Sequence, residues 1–314
     1  MTLSRRGALG LIGAAPLIRP AVAKTRFAYA LSLTAIADGV WMLEGATEYF
    51  SETNGGAIVN LAVLQGATGL ILVDTGPSLK YGQALLSALS TLDPRGVSAV
   101  VNTHIHPDHF FGNQAFAGVP IYALDKTIAG VRRDGDALSD NMYRLLGDWM
   151  RGTEVVAPNR VIAGGETVLD GRPVRILALD GHTDADLAVL DSRTGTVIAG
   201  DLLFYDRAPT TPSADIRRWQ VALTVLEDLR AARLVPGHGP LDLTGASIAQ
   251  TRDYLTWLDT TLRRAARSGQ TMVEIMDFDL PAKYAAMGAQ PEEFRRSVSH
   301  LFPAIEVEEL PRAN

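Results

Sequence analysis

The sequence contains no cysteine, and this absence limits the chemistry that the chain can carry. Without a thiol there is no disulfide, no thiolate nucleophile and no cysteine-bound zinc. A metal would have to be held by histidine, aspartate or glutamate. Histidine is also scarce, with six in 314 residues, so any clustering of these six is informative.

Basic residues are fewer than acidic residues in this chain. The chain has 29 lysines and arginines against 35 acidic residues, which gives a formal net charge of −6. An acidic chain argues against a nucleic-acid partner, because phosphates are bound by lysine and arginine. Beyond the N-terminal region, no apolar run has the length of a transmembrane helix. With 47% hydrophobic and 20% charged residues, the composition is typical of a globular protein with a sizeable core.

The first 23 residues have the pattern of an export signal. Arg5-Arg6 is a twin-arginine pair, residues 10–18 form a short apolar stretch, and Ala21-Val22-Ala23 has the A-x-A form of a cleavage site. The alternative is a cytoplasmic protein whose N-terminus is basic by chance. That alternative does not explain why the three features occur together in the order that an export signal requires. We therefore predict a twin-arginine (Tat) signal peptide at 1–23 and a periplasmic protein.

Strands and helices alternate along the rest of the chain, which we interpret as one domain at 24–314. Short apolar runs predict strands, and apolar residues at helical spacing predict helices. The predicted strands are 40–44, 57–64, 70–73, 97–101, 174–179, 187–190, 197–199 and 234–235, and the predicted helices are 79–92, 125–150, 216–230, 248–267 and 291–302. Residues 69–74 resemble 195–201, since both have a turn glycine, an apolar strand and a final aspartate. This faint repeat indicates two similar α/β halves.

The run Thr-His-Ile-His-Pro-Asp-His follows a predicted buried strand. His104 and His106 are two residues apart, so their side chains point the same way in an extended segment. Pro107 keeps His106 extended and suits the first position of a helix, whose first turn would contain Asp108 and His109. Four potential ligands in six residues, two directed one way and two another, fit a pair of neighbouring metal ions.

Three further candidate ligands follow predicted strands. They are His182 in Gly-His-Thr, Asp201 in Gly-Asp-Leu and His238 in Pro-Gly-His-Gly-Pro. Sites in α/β proteins form where strands end, and the neighbouring glycines let the backbone approach a packed centre. Each histidine alone would be an ordinary core or loop residue. Five of the six histidines lie in such loops, which favours one shared site; His300 is interpreted as a solvated helix residue.

Together, H-x-H-x-D-H, G-H-T, G-D and G-H-G resemble the signature of the metallo-β-lactamase superfamily. The resemblance covers about residues 40–240 and implies an α/β fold, a four-layer αβ/βα sandwich with the site at one edge. It implies that Asp74 supports the site through hydrogen bonds. It also implies a first zinc ion on His104, His106 and His182, a second on Asp108, His109 and His238, and Asp201 as the bridge between them.

The expected function is that of a zinc-dependent metallohydrolase. Two zinc ions would lower the pKa of a shared water, and the bridging hydroxide would hydrolyse an ester, thioester, lactone or related carbonyl substrate. Asp108 is the predicted catalytic residue, which orients the nucleophile and moves a proton. A narrower resemblance, on the exported N-terminus and residues 54–60 and 102–116, is to the quinoprotein relay system zinc metallohydrolases, also described as SoxH-related. It implies a functional link to a quinoprotein dehydrogenase system.

Three alternatives stay open. Class B β-lactamase activity is a minority expectation, because class B1 enzymes have cysteine where this chain has Asp201, and class B3 enzymes lack the bridging aspartate. A mononuclear iron persulfide dioxygenase would share the first motif but use three protein ligands. A metal-binding accessory protein without turnover would also keep all seven residues. Tyr205 and Arg207, which follow Asp201, are interpreted as residues of a surface loop.

Overall fold

Two β-sheets form the frame of the structure, a computed structural model that describes residues 27–310. The predicted signal peptide at 1–23 lies outside the described residues. The first sheet contains, side by side in this order, β1 Thr34–Ala37, β2 Val40–Leu43, β3 Leu61–Gln65, β4 Leu70–Val73, β5 Val97–Val101, β6 Ile121–Ala123 and β7 Arg160–Val161. The second contains β8 Gly165–Leu169, β9 Arg172–Leu179, β10 Asp186–Asp191, β11 Thr196–Phe204 and β12 Arg233–His238, again in chain order.

Residues 27–310 also form eight α-helices. They are α1 Leu79–Leu92, α2 Pro107–Phe110, α3 Asp125–Leu146, α4 Ile216–Asp228, α5 Ala246–Arg267, α6 Met272–Met276, α7 Ala282–Ala285 and α8 Glu292–Glu309, with 3-10 helices at Phe111–Phe116 and Gly147–Met150. Within residues 27–310, none of the helices combines the length and the apolar character that crossing a membrane requires.

Strand β3 shows why the sheets stack into layers. Ala62 and Leu64 point into the core between the two sheets, whereas Leu61 and Val63 point outward, toward Leu85 of α1. Successive strand residues face opposite sides, so a strand that is apolar throughout needs cover on both faces. On the far side, α4 and α5 cover the second sheet. The predicted four-layer αβ/βα order is confirmed.

The faint internal repeat corresponds to equivalent strands in the two sheets. Its first copy contains β4, which is antiparallel to β3 and parallel to β5. Its second copy contains β11, which is antiparallel to β10 and parallel to β12. The two halves therefore share a local topology as well as a sequence pattern.

Several element boundaries differ from those predicted, and two of these differences have a clear physical reason. The strand expected from residue 57 begins at Leu61, because Asn54 organises a preceding turn by accepting hydrogen bonds from the N–H groups of Ser51 and Gly56. The C-terminal helix continues to Glu309 rather than ending near 302, although it contains a proline. Buried apolar side chains on both sides of that proline keep the extended helix packed on α5.

Candidate metal centre

The structure brings all seven predicted ligands together from four segments of the chain. Residues 104–109 follow β5, His182 lies between β9 and β10, Asp201 lies within β11, and His238 ends β12. Six of the seven are buried, and His106 is half-buried. Residues that are distant in sequence thus form one compact polar centre.

The local geometry of the first motif is as predicted. His106 is extended, with φ −68° and ψ 145°, and precedes α2 as its N-cap. Pro107 is the first residue of α2, and Asp108 and His109 follow in its only turn. The change from extended to helical backbone directs the two parts of the motif to two different groups of ligands.

The first group consists of His104, His106, His182 and Asp201, whose ligand atoms lie within 4.8 Å of one another. Nδ1 of His106 and Nε2 of His182 are 2.8 Å apart. Oδ2 of Asp201 is 3.3 Å from Nε2 of His182 and 3.8 Å from Nε2 of His104. Three imidazole nitrogens and one carboxylate oxygen therefore converge on a single point.

The second group consists of Asp108, His109 and His238, also within 4.8 Å. Oδ2 of Asp108 lies 3.4 Å from Nε2 of His238 and 3.8 Å from Nε2 of His109. The other oxygen of Asp201, Oδ1, faces this group, 3.1 Å from Nε2 of His109 and 3.3 Å from Nε2 of His238. One carboxylate thus directs one oxygen to each group.

Several atoms that point into the centre have no hydrogen-bond partner among residues 27–310. They are Nε2 of His104, Nε2 of His109 and Oδ1 of Asp201, and all are buried. Nε2 of His109 and Oδ1 of Asp201 lie 3.1 Å apart, but their geometry does not make a hydrogen bond. Leaving a buried polar atom unpaired costs about 1–3 kcal/mol, and a bound cation would remove that cost. The donor set of imidazoles and carboxylates therefore fits divalent metal ions such as zinc.

Groups behind the centre orient two of its five imidazoles. Oδ2 of Asp74 lies 2.8 Å from Nδ1 of His109, and its carboxylate also accepts the backbone N–H and hydroxyl of Thr103. The carbonyl of Ile58 lies 2.8 Å from Nδ1 of His238. Such contacts fix ring orientation and tautomer in metal sites. Asp74 therefore makes the supporting hydrogen bonds that the sequence predicted.

Charge is unevenly distributed over the centre. Burial, reinforced by neighbouring imidazoles, holds the pKa of His104 and of His106 well below the usual value, so both rings are neutral, as metal ligands must be. Burial also acts to lower the pKa of His109, but the carboxylates of Asp201, Asp74 and Asp108 outweigh it and raise that pKa. Buried negative charge of this density requires positive charge nearby.

A family model described as Metallo-beta-lactamase superfamily matches residues 54–238, more than half of the chain and the segment that holds all seven candidate ligands. The chain belongs to the metallo-beta-lactamase superfamily.

Solved structures of metallo-beta-lactamases have the same fold. The enzyme from Pontibacter korlensis superposes with a TM-score of 0.60 at 21% identity, over 72% of this chain and 99% of that chain. The enzyme FIM-1 from Pseudomonas aeruginosa, solved in a mono-zinc form, superposes with a TM-score of 0.59 at 20% identity, over 74% of this chain and 97% of that chain. At this level of identity the likeness establishes the fold.

Two curated proteins resemble this superfamily member in sequence. The beta-lactamase-like protein 2 homolog of Caenorhabditis elegans is 28% identical over 177 residues, which are 54% of this chain and 52% of that protein. The linear primary-alkylsulfatase of Pseudomonas sp. (strain ATCC 19151) is 23% identical over 284 residues, 76% of this chain and 53% of that protein. The chain spans about half the length of each relative.

A cavity of about 160 Å³ opens beside the centre of this metallo-beta-lactamase superfamily member. Its floor is formed by candidate ligands, namely His106, Asp108, Asp201 and His238. An apolar wall is formed by Phe50, Leu138, Met142 and Leu145, which pack in one cluster, and Ile58 also lines the cavity. The polar lining includes Asn141, which lies on α3 beside that wall, and Arg207, Thr210, Ser213 and Arg296. A molecule in this cavity would touch the centre together with apolar and polar side chains.

The interpretation of Arg207 as a surface-loop residue is wrong. Its side chain is 1% exposed, and Nη2 donates to Oε1 of Glu293 at 3.2 Å. Glu293 lies on α8, 86 residues further along the chain. A local pattern contains no sign of so distant a partner, so sequence reasoning missed this buried pair.

Two further supporting residues were also missed. Asn60 donates from Nδ2 to the carbonyls of Pro236 and Gly239, at 2.8 and 2.6 Å, and so holds the loop that carries His238. Asp186 accepts hydrogen bonds from the backbone N–H groups of His182 and Thr183, and burial raises its pKa to about 6. In the sequence, Asn60 is distinguished only as the last residue of the run 54–60, and Asp186 follows Gly-His-Thr without any motif of its own.

Proposed function

We propose that this chain is a dinuclear zinc metallohydrolase acting on an ester, thioester, lactone or related carbonyl substrate. The observation that carries the proposal is the orientation of the Asp201 carboxylate. Its Oδ2 faces one group of histidines and its Oδ1 faces the other. A carboxylate shared in this way suits two metal ions a few ångströms apart.

In this proposal the seven residues divide as the two groups do. One zinc ion would be held by His104, His106 and His182, the other by Asp108, His109 and His238, with Asp201 shared between them. Bound zinc would supply a water of lowered pKa and a Lewis acid for the substrate oxygen.

The chain's own groups would do the remaining work. Asp108 lines the cavity, where its carboxylate can orient the attacking water and hold its proton. The apolar wall would exclude other water from the reacting carbonyl, and the support that Asp74 gives to His109 would keep that ligand in place.

The metal content and the substrate preference of the purified chain test this function together. We expect about two zinc ions per chain and turnover of at least one compound in a panel of esters, thioesters, lactones and nitrocefin. Asp108→Ala should lower kcat by roughly 10²–10⁴-fold, the usual contribution of an acid–base group. Asp184→Ala removes the same charge at an exposed position near the site and should leave kcat unchanged.

Each alternative has its own outcome in that experiment. A single iron ion per chain would contradict the proposal and support a mononuclear dioxygenase. Full zinc without turnover of any compound would support an accessory protein, and turnover confined to nitrocefin would support a β-lactamase.

A sulfate ester is a second candidate substrate. The curated alkylsulfatase is similar over 76% of this chain, and the cavity combines an apolar wall with arginine. Alkyl sulfates therefore belong in the panel, and their hydrolysis in preference to carbonyl esters would decide for this candidate.

We also propose that the protein is exported to the periplasm, where it would serve a quinoprotein dehydrogenase system. The twin-arginine pair, apolar stretch and A-x-A site within residues 1–23 support export. The full chain should fractionate with the periplasm and lose about 23 residues, whereas Arg5→Lys with Arg6→Lys should leave the unprocessed chain in the cytoplasm. A wild-type chain that stays unprocessed in the cytoplasm would refute export.

A further inference from the structure

A buried carboxylate lies between two arginines beside the cavity. Glu293 on α8 is fully buried, and its Oε1 accepts hydrogen bonds from Nη2 of Arg207 at 3.2 Å and from the hydroxyl of Thr210 at 2.8 Å. Nη1 of Arg296, one turn further along α8, lies 3.0 Å from Oε2 of the same carboxylate. Two positive charges therefore face one negative charge, and one positive charge is left in excess.

The two arginines are not equivalent. Arg207 is 1% exposed and also donates to the backbone carbonyls of Glu48 and Ala208, so its donors are directed into the protein. The side chain of Arg296 is 33% exposed, and within residues 27–310 Nη1 is the only nitrogen of its guanidinium that donates a hydrogen bond, to Glu293. A guanidinium has five N–H donors, so Arg296 keeps donors for a ligand.

Surrounding contacts hold Arg296 at the cavity. Its guanidinium carbon lies 5.4 Å from the ring centre of Tyr49, a cation–π distance. Both residues line the cavity together with Asp108. The side chain is thus fixed by Glu293 and Tyr49 with part of its donor surface facing the space beside the centre, which is how a preorganised anion site is built.

The apolar wall consists of Leu138, Met142 and Leu145 of α3, which also contributes Asn141 to the cavity lining, and of Phe50, which packs with them. It would cover an apolar group of the substrate, since burial of each CH₂ is favourable. The same cavity therefore presents one fixed cation and one apolar surface.

We infer that Arg296 is a specificity-determining residue that binds an anionic group of the substrate, and that the substrate class is an amphiphilic anion whose apolar part lies against α3. This inference rests on the proposed function, because Asp108 and Asp201 also line the cavity and would repel an anion without bound cations to balance them.

Binding of two matched probes to the zinc-loaded full chain tests the inference. Hexane-1-sulfonate has an anionic end and a six-carbon tail but no ester bond, and hexan-1-ol has the tail alone. Isothermal titration calorimetry should show that Arg296→Gln weakens hexane-1-sulfonate binding at least tenfold and changes hexan-1-ol binding less than twofold. Arg295→Gln removes an exposed arginine next to it on α8 and should change neither affinity. Ethane-1-sulfonate should bind the wild type at least tenfold more weakly than hexane-1-sulfonate.

Arg296→Lys is the control for a folding defect in Arg296→Gln, because it keeps a positive charge beside Glu293. It should bind hexane-1-sulfonate with an affinity between those of the wild type and Arg296→Gln. The inference is overturned if the wild type does not prefer hexane-1-sulfonate to hexan-1-ol, or if Arg295→Gln weakens sulfonate binding as much as Arg296→Gln. Zinc content and turnover are measured separately, so a zinc-loaded hydrolase without this binding contrast would refute the inference alone, whereas a wild type without zinc or turnover would refute the proposed function on which the inference rests.

Discussion

Asp201→Ala should lower kcat/KM by at least about 10³-fold, which corresponds to roughly 4 kcal/mol of transition-state stabilisation. It should also reduce the zinc content from about two ions per chain to one or fewer. The reason is geometric, since one side chain supplies an oxygen to both groups of ligands and its removal weakens both. Inductively coupled plasma mass spectrometry and steady-state kinetics on the preferred substrate of the panel would measure the two effects.

Two further variants distinguish loss of the bridging carboxylate from a general disturbance of the site. Asp74→Asn changes a group behind His109 rather than a ligand, so its effect on metal affinity should fall in the range of about 10–100-fold. Asp184→Asn alters an exposed carboxylate and should change neither zinc content nor kcat/KM. If Asp201→Ala kept two zinc ions and near-normal turnover, Asp201 would not be the bridge.

Asp191→Asn should lower the free energy of unfolding by about 3–5 kcal/mol, because it leaves a buried arginine without its counter-charge. Nε and Nη2 of Arg172 each lie 2.8 Å from a different oxygen of Asp191, and both side chains are fully buried. Arg172 also donates to the backbone carbonyls of Gln65 on β3 and of Asp38 in the turn between β1 and β2, so the pair joins the second sheet to the first. Chemical denaturation would measure the loss, and Tm should fall by about 10 °C.

The Arg172–Asp191 pair also predicts how the loss of unfolding free energy in Asp191→Asn depends on pH. Burial acts to raise the pKa of Asp191, but the hydrogen bonds and charge of Arg172, together with Thr194, hold it below the usual value. A carboxyl whose pKa is depressed on folding stabilises the protein above its unfolded pKa of about 3.9 and stops doing so as the pH falls through the folded value. The gap between wild type and Asp191→Asn should be constant from pH 5 to 8 and shrink below about pH 4.

An exposed ion pair in the same sheet serves as the control. Arg175 and Glu166 lie 3.8 Å apart, and their side chains are 47% and 72% exposed. Arg175→Gln should cost less than about 1 kcal/mol, as is usual for surface pairs. Equal losses of unfolding free energy in Asp191→Asn and Arg175→Gln would contradict the prediction that a buried ion pair matters more than an exposed one.

The metal centre could be predicted from sequence because its signal is local. Two histidines two residues apart, a proline that starts a helix and ligands next to glycines are all short-range patterns. Even the close approach expected of the glycines is present, since Gly200 has φ +52° and a Cβ there would lie 2.9 Å from the side chain of Thr103. One detail differed: β11 continues to Phe204, past an irregularity in its pairing at Gly200, so Asp201 lies within the strand rather than at its end.

The polar lining of the cavity could not be predicted, because its partners are distant in sequence. Glu293 and Arg207 are 86 residues apart, and neither belongs to a motif. Likewise, Arg172 and Asp191 are identified as a buried pair only once β9 and β10 are placed side by side. Local patterns specify which elements form, whereas contacts between elements decide which charged residues are buried.

The position of α8 has a consequence for how this protein could change over time. All seven candidate ligands lie between residues 104 and 238, within the part of the chain matched by the family model, whereas Glu293 and Arg296 come from a helix beyond it. That helix packs mainly on α5 and contributes Arg296 to the cavity lining. Mutations in α8 can therefore change this part of the cavity while the ligand set is inherited intact, so reactivity and selectivity are open to separate selection.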